Sequence, residues 1–294
     1  MSNTAHKLKC WIEAMRLHTL PVSMAGAVVA CGYAAKDEGF AVVPAILCCV
    51  FALLAQITSN FANEYYDYKN GSDKKGREGF RRGVTEGDIS AKSMKIATFA
   101  TLALACCVGC GLIPFGGWQL IPVGLVIAVF SLAYSAGPYP LSRIGLGDLA
   151  VLIFFGLVPV CFTYFLQTGN LTAEVICGSV AVGLMGVNVL VVNNYRDMED
   201  DKEAGKTTTV VLFGRKVAMV AYLLFGYAAI ALTFSVWFHA WYFIAAPLIY
   251  AVLHTKIWYK IKHTQGAALN ALLGATAKNM LIYSLLLLAV TLLS

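Results

Sequence analysis

The sequence predicts an all-α membrane protein, a single integral-membrane domain over residues 1–294 built as a bundle of nine transmembrane helices. Three observations predict it. Apolar residues make up 59% of the chain and charged residues only 13%, with a mean hydropathy of +0.71. The apolar residues gather into stretches of about 18 or more, the length that crosses a hydrocarbon core as a helix. Lys and Arg fall on alternate connections, the asymmetry that orients membrane helices.

Residues 1–16 interleave Lys7, Lys9 and Arg16 with Leu8, Trp11, Ile12 and Met15, the pattern of a short amphipathic helix lying on a membrane surface. The stretch that follows is long enough to stay in the membrane, so no signal-peptide cleavage is expected. The nine spans fall near 18–36, 41–66, 92–114, 117–136, 146–168, 172–194, 216–237, 240–255 and 277–294. Several are rich in Gly, Ala and Ser, which lets helix backbones approach closely where no water drives association. The N-terminus and the connections after the second, fourth, sixth and eighth spans share a side and hold every Lys and Arg except Lys36. By the positive-inside rule that side is cytoplasmic. Segments 63–82 and 193–206, Arg143 and the 256–278 segment then face the cytoplasm, and the C-terminus faces outward.

Two acidic clusters carry the chemistry: NEYYDYKNGSD at 63–73 and NNYRDMEDD at 193–201, each ending a long apolar stretch. Asn63 and Asp67 stand four apart, as do Asn193 and Asp197, and Asp201 follows after another four. On a helix such residues share a face, roughly 40° apart around the axis. Their oxygen-only donors favour Mg²⁺, as expected of an enzyme handling a diphosphate. Gly71 breaks the first helix so that Asp73 turns back toward the same cation. Ionisable groups at membrane depth are costly and usually functional. Downstream, Lys74, Lys75, Arg77, Arg81 and Arg82 lie in a glycine-punctuated loop suited to closing over phosphates, although a cytoplasmic loop is basic in any case. In the second cluster Arg196 precedes Asp197, and Lys206 and Thr207 follow Gly205. This Gly-Lys-Thr lacks the upstream Gly and leading strand of a nucleotide-binding P-loop, which disfavours a nucleoside triphosphatase. Glu199 and Asp200 point elsewhere on the helix and read as solvated charge.

The nine Cys lie almost entirely within apolar spans. Cys107 and Cys110 have C-x-x-C spacing but no His or acidic neighbour in sequence, so they read as small buried hydrophobes. No disulfide framework is implied. Of the five His, His18 alone stands near a candidate site, and it reads as structural.

These paired motifs at equivalent positions after the second and sixth spans resemble the UbiA superfamily of intramembrane aromatic prenyltransferases. The resemblance extends to RLHTLP at 16–21, GPYPLSRIGLGD at 137–148 and LNALLGATAKN at 269–279. The form Asn63, Asp67, Gly71, Asp73, followed by RRGVTEGDIS, looks like the 1,4-dihydroxy-2-naphthoate polyprenyltransferase branch (MenA) of menaquinone synthesis. The 4-hydroxybenzoate branch typically carries an Asp where this chain has Gly71. The resemblance implies a UbiA-like bundle with pseudo-repeated halves and a central cavity open to the cytoplasm, in a bacterial inner membrane. It also implies catalysis through two Mg²⁺ ions, one held by Asn63, Asp67 and Asp73 and one by Asn193, Asp197 and Asp201. The substrates it implies are a polyprenyl diphosphate, whose leaving group Arg82, Arg196 or Lys206 stabilises, and 1,4-dihydroxy-2-naphthoate, which loses its carboxylate. Tyr139 and Arg143 stand where the family often has a Tyr and a Lys, as candidate contacts for the acceptor or the diphosphate. Asp148 reads as a loop organiser, and Lys278 either lines the cavity or snorkels to the interface. Neither nucleic acid nor an obligatory protein partner is implied. The competing readings are a prenyltransferase with another acceptor, such as 4-hydroxybenzoate, homogentisate or a tetrapyrrole, and a cation-coupled transporter. A transporter's site tends toward the midplane, whereas these clusters end their spans.

Overall fold

The computed structural model describes residues 3–76 and 78–293, and among them the regular secondary structure is helical throughout. The amphipathic start forms α1 (Asn3–Met15), which rests on α3 (Val42–Lys69) and buries Cys10 and Ala14 beside Phe61, Val84 and Met94. Arg16 ends α1 in a left-handed conformation, φ 54°, a rare backbone for a residue with a side chain. This break separates α1 from α2 (Leu20–Lys36). Small residues let α2 pack closely: a Cβ on Gly32 would meet Thr291 Oγ1 at 2.7 Å, and one on Gly26 would meet Pro159 at 2.9 Å.

After α3 come α4 (Ala91–Cys110), capped by Ser90 Oγ accepting from the Ser93 amide at 3.1 Å, and α5 (Leu120–Ala133). The α6 helix (Gly147–Thr168) contains a π-helical stretch at Leu152–Leu157 just before Pro159, a local widening that tolerates the missing amide donor. Gly156 there meets Gly183 of α7 (Ala173–Arg196), so closely that a Cβ on Gly156 would stand 2.4 Å from the Gly183 Cα. The α7 helix is the most buried and also packs on α8 (Thr209–Leu232). Gly214, with φ 80° and ψ 164°, interrupts α8, so the apolar span expected from 216 begins just past the break. The bundle is completed by α9 (Ala245–Lys262) and by α10 (Leu269–Leu293), which packs on α2, α7 and α9.

Seven of the described helices are long and apolar enough to cross a membrane, against the nine spans expected. The expected fourth and eighth spans are α5 and α9. With 14 residues, α5 is about 21 Å long, shorter than a hydrocarbon core of about 30 Å. Lys256, Lys260 and Lys262 dilute the apolar run of α9.

The acidic ends of α3 and α7 share one end of the bundle. At the opposite end Lys36, the single basic residue predicted there, pairs with Glu174 at 2.8 Å, and Ser235 Oγ donates to the same carboxylate at 3.1 Å. Cys106, Cys107 and Cys110 are exposed on α4.

Candidate active site

The C-terminal turns of α3 and α7 open onto one cavity of about 190 Å³, lined by Asn63, Asp67, Arg82, Asn193, Arg196, Asp197, Asp201 and Lys206 among others. The i, i+4 spacing puts Asn63 with Asp67 at the end of α3 and Asn193 with Asp197 at the end of α7, and Asp201 joins them from a short helix at Met198–Glu203. Charge is concentrated there away from water: Asp67 is 4% exposed, Asp197 3% and Asp201 6%. Buried carboxylates are costly unless paired, and the chain supplies a cation to each.

Around α3 the hub is Asn63. Its Oδ1 accepts from Arg16 Nη2 at 2.6 Å and from Arg82 Nη2 at 2.8 Å, while its Nδ2 donates to Asp67 Oδ2 and to Ser135 Oγ, both at 3.1 Å. Gly71, at φ 66°, lies just past the end of α3. The chain then turns so that Asp73 meets Arg82 Nε at 3.3 Å, and Arg82 also stands 3.8 Å from Asp67. Buried Glu64 accepts from the Val84 amide at 3.0 Å and so fixes the turn after Arg82.

Around α7, Arg196 grips Asp197 through two nitrogens, at 2.6 and 2.7 Å, and donates to Asn193 at 2.9 Å and to Asn270 at 2.6 Å. Its guanidinium lies 5.6 Å over the Phe80 ring, whose neighbour at 3.8 Å is the stacked imidazole of His18. Lys206 reaches Asp201 at 3.0 Å. The segments after α3 and α7 are also tied by Lys74 to Glu203 at 2.9 Å, and Asn270 at the start of α10 donates its Nδ2 to the Glu78 carbonyl at 3.2 Å. The exposed Lys74–Glu203 hydrogen bond raises the lysine's pKa and lowers the glutamate's.

Other predicted residues lie elsewhere. Asp73 touches Arg82 but does not line the cavity, and Tyr139 is 77% exposed. Arg143 is outside the lining and donates to the Ala204 carbonyl at 2.7 Å, joining the 137–148 loop to the 204–207 turn. Glu199 pairs on the surface with Arg215 at 3.2 Å, Lys278 is exposed, and Arg77 lies outside the described residues. Asp148, expected to organise a loop, lines the cavity. Sequence reasoning also missed Arg16, Gln56, Asn60, Phe80 and Tyr134 as lining groups. Of these, Arg16 lies within RLHTLP and Phe80 within the glycine-punctuated basic loop, but neither was singled out for the site.

A second, mostly apolar cavity of about 360 Å³ adjoins the first, sharing Gln56, Ser59, Tyr134, Val151 and Phe155 with it. The oxygen donors of the polar cavity suit Mg²⁺. Arg82, Arg196 and Lys206 line the same cavity and give it positive charge of the kind that pairs with phosphate.

Comparison with known proteins decides the family. The UbiA prenyltransferase family model matches residues 23–292. The chain belongs to this family. It is 36% identical to the 1,4-dihydroxy-2-naphthoate octaprenyltransferase of Haemophilus influenzae, covering 83% of this chain and 84% of that one. It is 35% identical to the Escherichia coli protein of the same name, covering 95% and 94%. The fold of this UbiA-family chain matches a UbiA homologue from Archaeoglobus fulgidus solved with DMAPP and Mg²⁺. That match has a TM-score of 0.66 at 15% identity and covers 95% of this chain and 99% of that one.

Proposed function

We propose that this UbiA-family protein transfers a polyprenyl group from a polyprenyl diphosphate to 1,4-dihydroxy-2-naphthoate. The observation that carries the reading is the pair of Asn–Asp sets on α3 and α7 lining one polar cavity that continues into an apolar one. This is the shape of a donor with a charged head and a hydrocarbon tail. The acceptor follows from the relatives' names and from the Asn63, Asp67, Gly71, Asp73 form of the first motif.

In this reading Asn63, Asp67 and Asp73 hold one Mg²⁺ and Asn193, Asp197 and Asp201 a second. When bound, these ions neutralise charge on the departing diphosphate. Arg82, Arg196 and Lys206 hold diphosphate oxygens, the guanidiniums through paired N–H groups, and stabilise negative charge as the allylic C–O bond breaks. The apolar cavity, with Phe51, Phe154 and Phe162 in its walls, keeps water from the allylic cation. The ring carbon bearing the carboxylate attacks that cation. Carbon dioxide then departs, leaving its bonding pair to the ring and giving demethylmenaquinone in its quinol form. No enzyme nucleophile is needed. Arg143 and Tyr139, at the cytoplasmic rim, serve the acceptor's approach.

The same reading gives nine crossings, with α5 and its flanking turns as the fourth and α9 as the eighth, in a bacterial inner membrane. The basic residues near the acidic clusters support a cytoplasmic active site.

The test offers lipid-reconstituted protein a polyprenyl diphosphate with 1,4-dihydroxy-2-naphthoate and 4-hydroxybenzoate together, with and without Mg²⁺, and identifies products by mass spectrometry. The expected product is the decarboxylated prenyl naphthoquinol, formed only with metal. A prenylated benzoate alone would overturn the acceptor, and cation-driven uptake without prenyl transfer would overturn the enzyme class.

A further inference from the structure

Outside the proposed active site, α1 and the segment before α4 bring together His6, Cys10 and Asp88. One donor atom from each lies within 4.8 Å of the others. His6 and Cys10 are four apart on α1 and therefore share a face, and Asp88 approaches from the turn across it. His6 Nε2 stands 3.6 Å from Cys10 Sγ and 3.0 Å from Asp88 Oδ1. Tetrahedral zinc, with bonds of about 2.0–2.3 Å, sets its nitrogen and sulfur ligands about 3.6 Å apart and its nitrogen and oxygen ligands about 3.3 Å apart. The two distances from His6 are close to that spacing, and Cys10 and Asp88 lie within 4.8 Å of each other. His6 is half exposed at its side chain while Cys10 is 1% exposed, so an ion can enter from water and bind a shielded sulfur.

We propose that His6, Cys10 and Asp88 form a binding site for a thiophilic divalent ion of the Zn²⁺ type, separate from the oxygen-lined cavity. One thiolate, one imidazole and one carboxylate select zinc or cobalt over Mg²⁺. Three protein ligands leave the fourth position to water or to Glu13, one turn further along α1. In the metal-free chain a cation already serves this cluster. Arg81 donates to Asp88, to Cys10 Sγ at 3.6 Å and to Glu13 at 3.4 Å. Metal binding therefore removes the thiol proton to solvent and displaces the Arg81 guanidinium, so metal and Arg81 compete for one place. Loading the site ties α1 to the segment that also carries Arg82.

The test is titration of the full-length protein, purified in detergent and stripped with chelator, with Co²⁺ followed by absorption and Zn²⁺ followed by competition. Expected are one high-affinity equivalent and a thiolate-to-cobalt charge-transfer band. Cys10→Ser should abolish the band. His6→Ala and Asp88→Asn should weaken affinity by at least the roughly 10–100-fold that loss of an outer-shell partner costs. Arg81→Gln should tighten binding, which a site that merely tolerates metal would not do. The variant lacking Cys106, Cys107 and Cys110 should behave as the parent. Absence of the band in the parent, its survival in folded Cys10→Ser, or its loss in the Cys106/Cys107/Cys110 variant would overturn the proposal. Should Cys10→Ser fail to fold, Asp88→Asn and Arg81→Gln decide it, and unchanged affinity in both rejects the site.

Discussion

Asp197→Asn separates the stabilising role of the second acidic cluster from its catalytic one. In the parent, two nitrogens of Arg196 hold the Asp197 carboxylate at 2.6 and 2.7 Å, and both side chains are nearly inaccessible to water. Removing one partner of a buried ion pair costs about 3–5 kcal/mol. Here the stranded guanidinium keeps Asn193 at 2.9 Å and Asn270 at 2.6 Å as acceptors, and the new amide oxygen still accepts one bond. The stability loss should therefore lie at the low end, about 3 kcal/mol. The activity loss has a different origin. Losing one preorganised group that stabilises transition-state charge costs about 10²–10³ in turnover, and Asp197 is proposed both to hold a cation and to orient Arg196. The assay is product formation by mass spectrometry across a Mg²⁺ titration, run well below the variant's unfolding temperature, with thermal unfolding measured in parallel. A folded variant that turns over within about threefold of the parent at saturating Mg²⁺, a difference under about 1 kcal/mol, refutes the proposed role of α7.

Asp67→Asn should cut turnover on a similar scale of about 10²–10³ while lowering the unfolding temperature less than Asp197→Asn, because Arg82 keeps Asn63 at 2.8 Å and Asp73 at 3.3 Å. The same two measurements check it. Glu199→Gln breaks only a surface pair with Arg215, at 3.2 Å, and should change stability by less than about 0.5 kcal/mol and leave turnover unchanged. Gly156→Ala forces a methyl to within 2.4 Å of the Gly183 backbone, where no side chain can yield. It should destabilise by about 1–3 kcal/mol, read as a lower unfolding temperature in lipid or detergent.

How much of this was legible in the sequence depended on the range of the forces involved. The helical membrane class and the end of the bundle carrying the acidic clusters follow from hydropathy and basic asymmetry, which are local. The pairing of Asn63 with Asp67 and of Asn193 with Asp197 is local too, since i, i+4 spacing fixes a face once the helix is granted, whereas bringing the two pairs to one cavity takes the packing of the bundle. The contribution of Arg16 was hidden because it depends on a left-handed backbone at φ 54°, which nothing in RLHTLP announces. Phe80 was hidden for a related reason, since a loop aromatic finds Arg196 and His18 only through folding across distant segments. The bounds expected at 117–136 and 240–255 differ from those of α5 (Leu120–Ala133) and α9 (Ala245–Lys262) because an apolar run marks where a chain avoids water, not where a helix starts. Turns around Gly117 delay the start of α5, and α9 runs past residue 255 to carry Lys256, Lys260 and Lys262. The trio of His6, Cys10 and Asp88 escaped notice because each residue alone is unremarkable and Asp88 joins the others only through tertiary contact.

The placement of the carboxylates has a physical consequence of its own. A helix C-terminus carries roughly half a negative charge from its unpaired carbonyls. Asp67 and Asp197 stand at the C-terminal ends of α3 and α7, where a carboxylate is disfavoured by a few tenths to about 1 kcal/mol. Two helices ending at one cavity, each with acidic residues, make a negative focus that folding alone would not choose. Arg16, Arg82, Arg196 and Lys206 offset it through hydrogen bonds and ion pairs whose partners other ligands can replace. The cavity is thus poised between two charge balances. In one, arginines satisfy the carboxylates. In the other, which the proposed function requires, the carboxylates would hold divalent cations and the arginines would turn to the phosphates of a donor. A site at the N-terminal ends of the same helices would bind the diphosphate directly but would hold the metal poorly. On the proposed function, ending both helices at the cavity would favour the metal at the carboxylates and leave the guanidiniums to the diphosphate. On this account Arg196→Gln should strengthen Mg²⁺ binding in the absence of donor while slowing turnover, and an unchanged Mg²⁺ affinity in that folded variant would argue that arginine and metal do not compete.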